Sequence, residues 1–149
     1  MTPGTSGQNG YALEELLRAY FLRMGFFVVR GVPLTYQGED LTDVDLLLYE
    51  STKGGTRRVQ IVDIKYKQKA KAVERMFWTR GRLETLGVNG AYVATTDSRA
   101  ALRRIAERLE LMIIDGKDLQ RIREQSDIPY PNRLSDEELV EELRTVDKL

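Results

Sequence analysis

Apolar residues recur at intervals of three and four between Gly10 and Met24, at Leu13, Leu16, Leu17, Tyr20, Phe21 and Met24, which predicts an amphipathic helix closed by Gly25. The pattern then changes. FFVVR (26–30) is a short β-rich run, a polar loop with Pro33 and Gly38 leads to DVDLLLY (43–49), and STKGGT (51–56) reads as a hairpin connection into VQIVDIKYK (59–67). Helical spacing returns in AVERMFWTRGRLETLG (72–87). A strand follows in GAYVATT (90–96), a helix in SRAALRRIAERLE (98–110), a strand in LMIID (111–115) and a short helix in KDLQRIR (117–123). Three strands gathered early and α/β alternation afterwards predict an α/β domain with a central mixed sheet flanked by helices.

This domain is expected over residues 10–123. Residues 1–9, rich in Gly, Ser, Thr and Gln, are expected to form a flexible tail. Residues 124–149 are expected to be a Pro-containing linker and then an acidic amphipathic helix opened by a Ser135 to Glu138 capping box.

Composition narrows the chemistry. The 149 residues include no cysteine and no histidine, which excludes disulfides, thiolate nucleophiles, Cys/His zinc sites and histidine general bases. Any metal must therefore be held by oxygen. No apolar run approaches the ~18 residues of a membrane span, and MTPGTSGQNG lacks the basic and apolar regions of a secretory signal, so a cytoplasmic location is expected. Net charge is zero, but the charges are segregated. From Lys65 to Arg82, seven Lys/Arg stand against Glu74 alone, whereas Ser126 to Leu149 carries seven Asp/Glu against three Lys/Arg. The basic run (Lys65, Lys67, Lys69, Lys71, Arg75, Arg80, Arg82) is a track on which a phosphate backbone can lie, or a solvated face. Met76, Phe77 and Trp78 are assigned to the apolar face of their helix.

VQIVDIKYK carries two charges on a hydrophobic strand. Side chains alternate along a strand, so Asp63 and Lys65 share a face. By the same parity Asp45, Leu47 and Tyr49 share one face and Val44, Leu46 and Leu48 the other, and Asp45 opens its strand. An antiparallel turn carries Asp63 back toward Asp45. Two converging carboxylates repel and need a cation, for which a hard divalent ion is suited. On the first helix, Glu14 lies at the edge of the apolar stripe and reaches the sheet, while Glu15 faces water. Lys65 beside a metal-bound water and a phosphate can orient the attacking oxygen, which is the chemistry of phosphodiester hydrolysis. Each element also has a plainer reading. D-x-K taken alone is a weak signal and fits a surface salt bridge, Glu14 fits an exposed helix charge, and Asp45 fits a turn residue beside Asp40 and Asp43. The joint occurrence carries the catalytic reading.

Several of these stretches together resemble the PD-(D/E)XK nuclease superfamily, and within it the Mrr-like restriction endonuclease domains, with archaeal Holliday-junction resolvases as cousins. They are GYALEELL ending in MGFFV, TDVDLLL, VQIVDIKY, and AYVATTDSRAA followed by LMIIDGKDL, spanning roughly Gly10 to Ile122. The resemblance implies a restriction-endonuclease-like αβββαβ core. It implies metal ligands at Asp45, Asp63 and the main-chain carbonyl of Ile64, an assisting Glu14, and Lys65 at the nucleophilic water. Val44 stands where proline often precedes the first acid. Asp43 is an alternative first acid, and Gln68 an uncertain match to a downstream glutamine. The implied activity is Mg²⁺- or Mn²⁺-dependent endonucleolytic cleavage of DNA, by a homodimer or with a fused or partner ATPase-helicase. A non-catalytic nucleic-acid-binding or protein-interaction module on the same fold, and an RNA-acting nuclease, are the alternatives.

Overall fold

The computed structural model describes residues 5–65 and 71–126. The elements run α1 (Thr5–Arg23), β1 (Phe27–Tyr36), β2 (Glu39–Ser51), β3 (Arg57–Lys65), α2 (Ala72–Leu86), β4 (Gly90–Thr95), α3 (Ala100–Arg108), β5 (Met112–Ile114) and α4 (Gly116–Ser126). They build one five-stranded sheet in the order β1-β2-β3-β4-β5. The first three strands are antiparallel neighbours, and β3, β4 and β5 are parallel. The sequence pattern accounts for this division. Short turns at Gln37–Gly38 and 52–56 permit only antiparallel return, whereas β3 to β4 and β4 to β5 each contain a helix, the connection a parallel pair requires.

Each face of the sheet is covered by two helices. Leu13, Leu17 and Phe21 of α1 join Leu119 and Ile122 of α4 over Leu46, Leu48, Val62, Ala94 and Ile114. Phe21, fully buried, stands edge-on to Phe26 and Tyr92. On the other face Ala72 and Met76 of α2 join Leu102 and Ala106 of α3 over Ile61, Ala91 and Val93. No helix among the described residues is long and apolar enough to cross a membrane.

The structure departs from the predicted elements in several places. Helix α1 begins at Thr5, so residues 5–9 of the predicted tail lie within it. Strand β1 runs on through Pro33 to Tyr36, and β2 starts at Glu39, which converts the predicted polar loop into a long two-stranded ribbon. Pro33 is tolerated because β1 is an edge strand, where a missing amide need not break the ladder. Helix α4 extends to Ser126, while residues 127–149, with the predicted acidic helix, lie outside the described residues. So do Lys67, Gln68 and Lys69.

Strict alternation fails at the middle of the ribbon. Val28 packs in the α1 layer while Val32 and Leu34 pack in the α2 layer; across from them, Leu46 and Leu48 belong to the α1 layer but Val44 to the α2 layer. Residues of one parity thus serve both layers, and the changeover falls at Gly31 and Asp45. Gly31 sits between the pairs Arg30↔Leu46 and Val32↔Val44 with φ at 57°, a conformation that L side chains rarely adopt. The ribbon turns over there, and the parity predicted for Val44 is corrected accordingly.

Helix α4 is fixed by Asp115, whose Oδ1 accepts from the amides of Lys117 and Asp118, each at 3.0 Å, and whose Oδ2 meets Arg103 at 2.6 Å. Burial works to raise the Asp115 carboxyl, but the Asp118 amide, the Arg103 guanidinium and the Lys117 amide outweigh it and hold it below the ordinary aspartate value. At the next position a Cβ would lie 2.4 Å from the Thr96 carbonyl oxygen, so Gly116 has no room for a side chain. A depressed carboxyl stabilises the fold above its unfolded pKa and loses that contribution as pH falls. Asp115→Ala is expected to cost ~1–2 kcal/mol at pH 7 in urea unfolding, with the gap from wild type closing as pH drops below about 4.

Candidate active site

β2 and β3 stay paired only from Ser51↔Arg57 to Leu46↔Val62. Beyond that pair the strands part, and the Ile64 amide, which would otherwise face β2's backbone, donates instead to Asp45 Oδ2 at 2.7 Å. Asp45 is therefore not the opening residue of its strand, as predicted, but lies at the middle of β2, where the ladder with β3 ends and the ribbon turns over. Its carboxylate sits at a seam between the layers. Burial pushes the Asp45 carboxyl above its ordinary value; the Ile64 amide opposes the rise, and the negative charges of Asp63 and Glu14 add to it.

Asp63 lies on the α2 side of β3, opposite Val93 of β4, and is 2% exposed. An isolated carboxylate so buried would be costly. Helix α2 supplies the compensation. Arg75 grips the carboxylate with both ends of its guanidinium, Nε to Oδ2 at 2.9 Å and Nη2 to Oδ1 at 2.6 Å, and Arg82 Nη1 donates to Oδ1 at 2.9 Å. The other end of Arg82 donates to Thr42 Oγ1 at 2.8 Å, tying the far half of β2 to the same group. Arg75, Met76, Thr79 and Arg82 recur at helical spacing, so the two arginines stand within the buried stripe of α2. Two arginines seven residues apart among apolar positions were the available signal. Arg75, which the sequence reading places on the basic track, is thus engaged with Asp63 rather than lying on a fully solvated face.

Glu14 and Glu15 both bind Arg30 of β1: Arg30 Nη2 donates to Glu14 Oε2 at 2.7 Å, and Nη1 to Glu15 Oε1. The guanidinium also lies 4.5 Å from the Tyr11 ring centroid. Glu15 thus does not simply face water, as its helical angle predicts, because the turning ribbon brings Arg30 to both glutamates. Lys65, half-buried at the end of β3 on the face of Asp63, forms no ion pair with any described residue. Asp43 is exposed, two residues out from the seam. Lys71 is exposed just before α2, and Arg80 is paired with Glu84 and Glu110, away from Asp63. Phe77 and Trp78, assigned to the core from sequence, are 61% and 60% exposed, and only Met76 of that triplet is buried. Trp78 lines an apolar cleft of about 360 Å³ with Leu34, Leu41, Leu86, Thr42 and Arg82.

Among the described residues no three acidic side chains come together as a metal-binding group. What the seam offers is smaller: the Asp45 and Asp63 carboxylates on neighbouring strands and the main chain of Ile64 between them. These are hard oxygen donors, and such a set fits one divalent ion whose remaining positions are filled by water, provided that Asp63 turns from its arginines.

The sheet with its two pairs of covering helices and an αβββαβ core is the restriction-endonuclease-like fold. Can2 from Sulfobacillus thermosulfidooxidans, solved in complex with cyclic tetra-adenylate, matches 82% of this chain with a TM-score of 0.57 at 8% sequence identity. EndoMS, solved in complex with dsDNA, matches 77% with a TM-score of 0.50 at 13% identity. The chain spans 35% of the Can2 chain and 46% of the EndoMS chain, and the likeness is one of fold. Neither a protein-family description nor a curated relative matches the sequence.

Two substitutions should separate the carboxylates. Asp63→Ala strands two guanidinium groups and is expected to lower stability by ~3–5 kcal/mol. Asp45→Asn removes a charge that burial disfavours but keeps an acceptor for the Ile64 amide, so it should raise the melting temperature at pH 7, by up to ~1 kcal/mol of stability. Thermal and urea unfolding of the two variants beside wild type checks both signs.

Proposed function

We propose that the protein is a metal-dependent nuclease that hydrolyses phosphodiester bonds, with DNA as its substrate. The observation that carries this reading is the seam itself: Asp45 and Asp63 brought together where β2 and β3 part, with Lys65 two residues further along on the Asp63 face. Asp45, Asp63 and the Ile64 carbonyl would hold Mg²⁺ or Mn²⁺. The ion, when bound, polarises the phosphate and lowers the pKa of a bound water. The Lys65 ammonium holds the attacking oxygen in line and offsets charge developing on the phosphate oxygens. Glu14, held on Arg30, acts through the charge it places near Asp45. Exposed Lys71, with Lys67 and Lys69 preceding it in the sequence, would supply positive charge for the flanking backbone. The complexes of the two structures of like fold, with a cyclic oligonucleotide and with dsDNA, support a phosphodiester ligand.

One observation favours a second reading, a nucleic-acid-binding module without catalysis. Asp63 is fully engaged by Arg75 and Arg82 and Glu14 by Arg30, as in a site that is purely structural.

The decisive variant is Lys65→Ala, since Lys65 makes no described ion pair and its loss should leave the fold intact. Supercoiled, linear, single-stranded and branched DNA, with matched RNA, are incubated at low salt with Mg²⁺ or Mn²⁺. Wild type is expected to cut DNA in an EDTA-sensitive manner and Lys65→Ala to be slower by ~10²–10³-fold, with DNA binding within a few-fold of wild type. Binding without cutting by wild type, unaffected by EDTA, would establish the non-catalytic module instead.

A further inference from the structure

We propose that Arg75 and Arg82 form an anion seat that is exchanged for the divalent ion at Asp63, so that a phosphodiester group and the metal enter the site together. This inference rests on the nuclease reading and names two residues of α2 as the groups that control loading.

The geometry first shows competition. All the donors that Asp63 is seen to accept come from Arg75 and Arg82, which engage both of its oxygens, and the residue itself is 2% exposed. A divalent ion can reach that carboxylate only by displacing at least one guanidinium. The displaced group need not return to bulk water. The Arg75 and Arg82 side chains are 28% and 14% exposed, so each keeps some access to solvent, and Arg82 also borders the open cleft beside Thr42 and Trp78. A guanidinium fork matches a phosphodiester as well as it matches a carboxylate.

Charge gives the second argument. Without ligands, Asp45 and Asp63 balance Arg75 and Arg82, and Lys65 leaves one positive charge in excess. Adding a divalent cation alone would raise that excess to three in a partly dry site. Adding a phosphodiester alone would cancel the excess but leave the arginines divided between it and Asp63. With both, the anion brings the excess down from three to two and each group has its own partner: the metal takes the two carboxylates, and the arginines take the phosphate oxygens. By linkage, whatever factor the anion adds to metal affinity, the metal adds to anion affinity.

The test is Mn²⁺ binding by isothermal titration calorimetry to wild type, Arg75→Gln, Arg82→Gln and Arg82→Gln/Asp63→Asn, in chloride and in chloride plus inorganic sulfate as the anion. Each single arginine variant keeps one guanidinium on Asp63 and is checked for folding by thermal melting. In chloride, the single variants are expected to bind Mn²⁺ ~10-fold more tightly than wild type, within the usual range of coupling between sites. Sulfate should tighten wild type by a similar factor and the single variants by much less, and Asp63→Asn should remove the gain. Arginine variants that bind Mn²⁺ no more tightly than wild type, or a wild type indifferent to sulfate, overturn the exchange and leave the metal centre standing. No Mn²⁺ binding by any form overturns the metal centre and the exchange with it.

Discussion

Asp63 is a carboxylate buried at the centre of a hydrophobic sheet, and the arrangement around it follows from the need to compensate that charge. Water cannot reach it, so the protein brings Arg75 and Arg82 from one face of α2, seven residues apart on the stripe that also carries Met76 and Thr79. Those contacts set how α2 lies on the sheet, and through Thr42 they reach the outer half of β2 as well. A buried ion pair of this kind is a poor source of net stability, because desolvation takes back most of what attraction gives. Apolar residues replacing Asp63 and both arginines together would pack at lower cost. The proposed metal site would give that charge a use that folding alone does not.

The second constraint is the turning over of the β1–β2 ribbon. Were both strands regular, Asp45 would pair across from Asp63 within a continuous ladder and the Ile64 amide would be taken up by the backbone of β2 rather than by a carboxylate. Gly31 with its positive φ and the parting of β2 from β3 after Leu46↔Val62 instead leave Asp45 in an opening, with the Ile64 amide as its hydrogen-bond partner. The same turn directs Arg30 toward α1, where it gathers Glu14 and Glu15, and Val32 and Leu34 toward α2. One backbone irregularity therefore distributes charges from two layers around one point.

Much of this was legible in the sequence, and the exceptions share a cause. The stripe of α1, the hairpin into β3 and the α/β alternation after it each depend on local spacing and form as read, except that Met24, the last residue of the stripe, lies past the helix and is exposed. The shared face of Asp63 and Lys65 is likewise a property of one strand. What failed depended on partners far along the chain. Pro33 reads as a loop residue unless β1 is known to be an edge. Val44 changes layer because the ribbon turns, and Glu15 is drawn to Arg30 for the same reason. Phe77 and Trp78 were placed in the core by their hydrophobicity, yet α2 buries Ala72, Met76 and Thr79 together with two arginines and turns both aromatic rings outward. A stripe in which arginine replaces leucine is invisible to any count of apolar positions.

Whether the seam between β2 and β3 holds a divalent cation can be read by paramagnetic broadening: substoichiometric Mn²⁺ is added to ¹⁵N-labelled protein and amide signals are followed residue by residue. Asp45, Asp63, Ile64 and Lys65 should broaden first, and Mg²⁺ in excess should restore them. Broadening that begins at exposed acids such as Asp40 and Asp43 and spares the seam would rule out a cation site there.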